Sequence, residues 1–221
     1  MCGRFALKVL KAELIDRFDL ASCDDYPVRY NIAPGTDIPV IRRSPEGQRV
    51  LHLLRWGLIP HWAKDPSIGA RPVNARSESV ADKPAFRDAF RRRRCLVPAD
   101  GFYEWKAEGK IKQPYYFSAA SGIPLALAGL WESWKAPDGT IVRTVCLLTT
   151  QANALMAPVH QRMPVIVGKD DWAAWLADPA EQVVALLRPC AGEDLQAWPV
   201  DRRVSRGDEE GAGLSAPTTR A

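Results

Sequence analysis

Between residues 50 and 149 the chain passes through five short apolar segments, 50–56, 94–98, 115–118, 125–131 and 143–149, separated by Gly, Pro and Asp. Segments rich in β-branched, leucine and aromatic side chains and bounded by turn residues read as strands of a largely antiparallel sheet system. Helices are fewer. Leu10, Leu14, Ile15 and Phe18 recur at helical spacing and predict a first helix over about residues 9–19. Pro84, followed by Phe86, Ala89 and Phe90, predicts a short second one, because proline's fixed φ suits a first helical turn. Asp170 and Asp171 open a third, whose Trp172, Trp175 and Leu176 share a face, and residues 180–188 give a fourth. Pro27, Pro34 and Pro39 mark an irregular stretch. This mixture, without an internal repeat, is α+β rather than an alternating βαβ fold.

At 221 residues the chain is long enough for one substantial core. From Asp201 onward Arg, Asp, Glu, Gly, Ser, Pro and Thr dominate, a composition that buries little. The expected organisation is one domain over residues 1–200 and a flexible tail over 201–221. Cys2, Cys23, Cys95, Cys146 and Cys190 are odd in number and lack C-x-x-C spacing, which points to free thiols rather than a disulfide framework or a zinc site. No metal or other cofactor is expected. No apolar run reaches membrane-spanning length, and Lys8, Lys11, Glu13, Asp16 and Arg17 interrupt the stretch where a secretory signal needs its hydrophobic centre. The expectation is a cytoplasmic monomer without membrane contact.

Charge is unevenly placed. Residues 41–100 hold 13 Lys and Arg against 6 Asp and Glu, net +7, and the remainder is net −3. Arg42, Arg43, Arg55, Arg71, Arg76 and the arginines at 91–94 match the oxygens of phosphate in two-point contacts, or, for the 91–94 run, are simply a solvated helix end. Trp56, Trp62, Phe102, Tyr103 and Trp105 lie in or near the same stretch and offer flat surfaces for single-stranded bases, although most tryptophans are core residues.

The second residue is a cysteine, and removal of Met1 puts an α-amine and a thiol on one two-carbon unit. Such a pair traps aldehydes. The amine forms an imine, the sulfur adds to the same carbon, and a five-membered thiazolidine closes. A terminal amine near ~7.7 to 8.0 is partly unprotonated at neutral pH, unlike a lysine near ~10.4.

Six segments occur together: Met1-Cys2-Gly3-Arg4-Phe5, Tyr30-Asn31-Ile32-Ala33-Pro34-Gly35-Thr36, Arg55-Trp56-Gly57-Leu58-Ile59-Pro60, Asn74-Ala75-Arg76-Ser77-Glu78, Gly101-Phe102-Tyr103-Glu104-Trp105 and His160-Gln161-Arg162-Met163-Pro164. In this order they resemble the SRAP family, the SOS response-associated peptidase-like proteins that process abasic sites in DNA. The resemblance implies a single domain with a barrel-like antiparallel core and flanking short helices. It also implies a sensor of abasic sites in single-stranded DNA that links Cys2 to the lesion as a thiazolidine crosslink, with a related Schiff-base route to lyase cleavage.

By resemblance, Cys2, Asn74, Glu104 and His160 are the catalytic residues. Glu104 takes a proton from the terminal ammonium and helps water leave, and His160 exchanges a proton at the sugar oxygen. The Asn74 amide addresses both sugar and amine. Arg4 and Arg76 match DNA-contacting arginines of the family, Arg76 sharing an extended face with Asn74. Trp56 and Trp105 are candidates for base stacking, with core packing as the alternative for at least one. The family's asparagine-rich stretch after the last strand is replaced here by Val200-Asp201-Arg202-Arg203-Val204-Ser205. Two other readings stand beside this one: an N-terminal cysteine peptidase or autopeptidase using Cys2 and His160, and a non-catalytic single-stranded DNA-binding module.

Overall fold

The apolar segments become strands longer than their hydrophobic cores, because polar residues at their ends extend the ladders. The computed structural model describes residues 2–65, 67 and 72–218, so Met1 and Arg71 lie outside the described residues. In chain order the elements are β1 (Phe5–Leu7), α1 (Lys11–Phe18), β2 (Leu20–Cys23), β3 (Arg29–Ile32), β4 (Asp37–Arg43), β5 (Arg49–Trp56) and β6 (Asn74–Arg76). There follow α2 (Arg87–Arg92), β7 (Arg94–Ala99), β8 (Gly101–Glu108), β9 (Ile111–Ala119), β10 (Leu125–Lys135) and β11 (Ile141–Gln151). The last are β12 (Arg162–Pro164), α3 (Trp172–Ala177), α4 (Ala180–Val183) and β13 (Leu195–Pro199).

One antiparallel sheet runs β13-β9-β8-β1-β3, and a second runs β12-β11-β10-β7-β4-β5-β2 with β6 parallel to β11. A further parallel pairing, Thr144 opposite Arg55 and Val145 opposite Trp56, closes β5, β4, β7, β10 and β11 into a barrel. Closure leaves no edge strand within that ring. The fold is α+β with one barrel-like domain and few, short helices, as expected.

The chain crosses between sheets at Asp100, where β7 ends and β8 begins. The Asp100 carboxylate accepts from the backbone N–H groups of Lys8 and Val9, which pins the end of β1 to this corner. Gly101 is required there: a Cβ would lie 2.4 Å from the Phe117 carbonyl oxygen and from the Tyr116 ring. On its other side β1 is held by Phe5, whose ring meets Trp56 edge-on at 5.3 Å. Both rings are buried, and side chains of this size stabilise by roughly 1.5–3 kcal/mol each when taken from water.

Two expectations are corrected. The stretch marked irregular by its prolines contains β3 and the first three residues of β4, with Pro39 inside β4. Pro39 lies beyond the one point, Ile41 opposite Leu96, at which β4 pairs with β7, so its missing N–H costs that pairing nothing. The described part of the expected flexible tail, residues 201–218, packs as a strap. It forms two single-turn segments, Arg202–Ser205 and Ala212–Ser215, and buries Val204 and Leu214 against Ala6, Tyr103, Tyr116 and Val200. Two apolar anchors and backbone hydrogen bonds, rather than average composition, decide the outcome.

Candidate active site

The register of β1 against β8 places the amino terminus. Phe5 lies opposite Phe102, and the Tyr103 N–H donates to the Arg4 carbonyl at 2.9 Å. Followed backward from Phe5, the antiparallel direction carries Cys2 toward Glu104. From the other side Asn74, first residue of β6, donates through Nδ2 to the Cys2 carbonyl at 2.9 Å. Asn74 Oδ1 is buried and has no hydrogen-bond partner among the described residues. Cys2 itself is fully buried. Burial pushes its thiol far above the ordinary thiol range, and the neighbouring Glu104 charge adds to the shift.

Glu104 is buried on β8, and His160 stands half-buried just before β12. The two line one cavity of about 540 Å³ together with Trp105, Lys112 and Ser205. The Arg162 backbone N–H donates to His160 Nδ1 at 3.0 Å, and the Arg162 carbonyl lies equally close to that atom. A neutral ring accepts from the N–H and carries its proton on Nε2. A protonated ring can donate from Nδ1 to the carbonyl instead. One short turn therefore offers Nδ1 a hydrogen-bond partner whether it accepts or donates.

Arg76 projects into solvent two residues from Asn74, with Ala75 buried between them, so both lie on one face of β6. Arg162 makes a two-point contact with Glu78, Nη2 to Oε2 at 2.9 Å, and its hydrogen bond holds the Glu78 carboxyl below its usual range. Among the described residues no cluster of three or more His, Cys, Asp and Glu side chains is placed to hold a metal ion. No described helix is long and apolar enough to cross a membrane.

The structure brings Glu104, Trp105 and His160 to one cavity and links Asn74 to Cys2. It separates other expected residues from the surface. Trp56 is only 1% exposed, its Nε1 donating to the Val73 carbonyl at 2.9 Å, so it is core and does not stack on bases. Phe102 and Tyr103 are likewise buried. Of the aromatics expected on bases, Trp62 is the most exposed among the described residues, at 51% in the loop after β5. The signal that could have singled it out is that Trp56 ends an apolar strand whereas Trp62 follows Pro60 in a loop. Arg4, expected on phosphate, directs its guanidinium at protein oxygens: Nη1 to Asn31 Oδ1 at 2.8 Å and to the carbonyls of Val204 and Arg206, Nη2 to that of Ser205. The basic run at 91–94 also divides. Arg94 is buried on the carbonyls of Phe90, Arg91, Trp175 and Asp178, and Arg93 pairs with Glu132 at 2.7 Å, leaving Arg91 and Arg92 exposed.

Known proteins share this arrangement of fold and sequence. The abasic site processing protein YoaM of Bacillus subtilis is 38% identical over 221 residues, covering 97% of each chain. The abasic site processing protein YedK of Escherichia coli is 31% identical, covering 98% of this chain and all of that one. A crystal structure of a Bacteroides thetaiotaomicron protein superposes with a TM-score of 0.88 at 23% identity, over 98% of this chain and all of that one, which shows the common fold. The family model described as SOS response associated peptidase (SRAP) matches residues 1–207, and on that match and these relatives the chain belongs to the SRAP family.

Proposed function

We propose that this protein processes abasic sites in single-stranded DNA, capturing the lesion covalently through the α-amine and thiol of Cys2 after Met1 is removed. The observation that carries the reading is the convergence of Cys2, Asn74 and Glu104 from three separate motifs, beside a cavity that also holds His160. The relatives' names, abasic site processing protein, supply the lesion.

In its ring-opened form an abasic sugar presents an aldehyde at C1′. The Cys2 amine attacks this carbon, and Glu104 accepts the ammonium proton. His160 protonates the carbinolamine oxygen, which leaves as water and gives the imine. Cys2 Sγ then adds to the imine carbon while the thiol proton passes to nitrogen, so the sum of amine, thiol and aldehyde is a thiazolidine and one water. A thiol raised by burial stays as S–H until an electrophile is fixed beside it, which favours attack by the amine first. Asn74 Oδ1 accepts from the amine, and its Nδ2 keeps residue 2 in place.

Outside the chemistry, Arg76 holds the phosphate next to the lesion, and Trp105 and Trp62 offer surfaces for flanking bases. Among the described residues no helix resembles a groove-reading recognition helix, and lesion and backbone set specificity. Lyase cleavage follows the same imine when sulfur does not add. The test is a denaturing gel with a single-stranded oligonucleotide bearing one abasic site. A heat-stable shifted band retained in Cys146→Ala and lost in Cys2→Ala supports the proposal. A peptidase or a plain binding module gives no such band.

A further inference from the structure

We propose that the carboxy-terminal strap is a working wall of the site, and that Arg4, Asn31 and Ser205 are positioning residues that fix the indole of Trp105 for the nucleotide flanking the lesion. The inference rests on the DNA-binding part of the proposed function.

The chain of contacts starts at the last carbonyls of the turn Arg202–Ser205. A single helical turn leaves such carbonyls without partners of its own. Arg4 supplies them: Nη1 reaches Val204 at 3.3 Å and Arg206 at 3.4 Å, and Nη2 reaches Ser205 at 3.5 Å. Asn31 orients Arg4 by accepting from its Nη1 and donates from Nδ2 to the carbonyls of Arg206, at 2.8 Å, and Glu209, at 3.0 Å. Farther along, Glu210 accepts from the Tyr30 N–H at 2.8 Å. Val204, fully buried, prevents the turn from sliding.

At the end of this chain Ser205 Oγ accepts from Trp105 Nε1 at 2.9 Å. The indole thus has one orientation, and it borders the cavity that holds Glu104, His160 and the cation Lys112. An aromatic face fixed beforehand loses less freedom when a base stacks on it. The strap carries none of the reacting groups, yet it determines where the flat wall stands relative to Glu104. Arg4 accordingly acts through the strap rather than on phosphate.

The experiment measures noncovalent affinity for a single-stranded oligonucleotide containing a tetrahydrofuran abasic analogue, which has no aldehyde. Ser205→Ala is expected to weaken binding about fivefold by freeing the indole N–H. Ser205→Thr, which keeps the hydroxyl, is expected to restore it. In a Trp105→Phe background, where no N–H remains, Ser205→Ala is expected to have no effect. Arg4→Ala is expected to weaken binding without changing the slope of affinity against salt. Additive effects of Ser205→Ala and Trp105→Phe, an unaffected Ser205→Ala variant, or a salt slope lowered by about 0.7 in Arg4→Ala would overturn the assignment. Because no aldehyde is involved, a missing crosslink with natural abasic DNA sinks the covalent mechanism without touching this result. Failure to bind the analogue at all sinks this assignment and the DNA-binding part of the proposed function, and leaves the covalent step to the crosslinking gel.

Discussion

Replacing Asn74 with alanine tests how the amino terminus is held. The amide donates to the Cys2 carbonyl at 2.9 Å, and Cys2 is fully buried, so water does not readily take the donor's place. An unpaired buried carbonyl costs about 1–3 kcal/mol, equivalent to about 5- to 150-fold in an equilibrium. Because β6 keeps its pairing of Asn74, Ala75 and Arg76 backbones with Leu147, Leu148 and Thr149, the loss falls on the position of residue 2 rather than on the sheet. Removal of Oδ1 also deletes the acceptor proposed for the amine, so the upper part of the range applies. Single-turnover crosslinking to an abasic oligonucleotide is therefore expected to slow by at least about 10-fold, with cooperative urea unfolding retained. A rate within about twofold of the parent protein, in a variant that unfolds at the same urea concentration, would refute the role given to Asn74.

Trp56→Phe removes the hydrogen bond to the Val73 carbonyl and some core volume, so unfolding free energy is expected to fall by about 1–3 kcal/mol while DNA affinity stays constant. Weaker binding at unchanged stability would return Trp56 to the DNA surface. Arg76→Ala is expected to lower both affinity for single strands and the salt slope, the latter by about 0.7, and an unaltered slope would remove Arg76 from phosphate. The Glu78 carboxyl is held below its unfolded value near 4.5 by Arg162, so the stabilisation it contributes is present above that pH and is lost as pH falls through the folded value. Glu78→Gln is expected to remove this part of the acid dependence of unfolding, and an identical pH profile below 4.5 would contradict it.

Much of the architecture was legible because local patterns and tertiary packing agree. The helix over 11–18 and the strands at 49–56, 94–99 and 141–151 follow their apolar residues closely. Prolines misled at residues 27–39, since their cost depends on whether a neighbouring strand needs the missing N–H, which is a property of topology. Composition misled at residues 201–218 for a related reason: Val204 and Leu214 find a preformed apolar surface, and Arg4 and Asn31 satisfy the backbone. Motif matching identified residues that converge, Glu104 with His160 and Asn74 with Cys2, without distinguishing inward from outward side chains. Trp56 and Trp105 looked equivalent in the sequence. The end of β5 turns one into the core, whereas Trp105, held by Ser205, borders the cavity.

The central claim is chemical and is tested most directly by the intact mass of the adduct with an abasic single-stranded oligonucleotide, formed without any reducing agent. The expected mass is that of the protein lacking Met1 plus the oligonucleotide less one water, with peptide fragmentation locating the bond at Cys2. A protein that retains Met1, or an adduct at any other residue, would contradict the account.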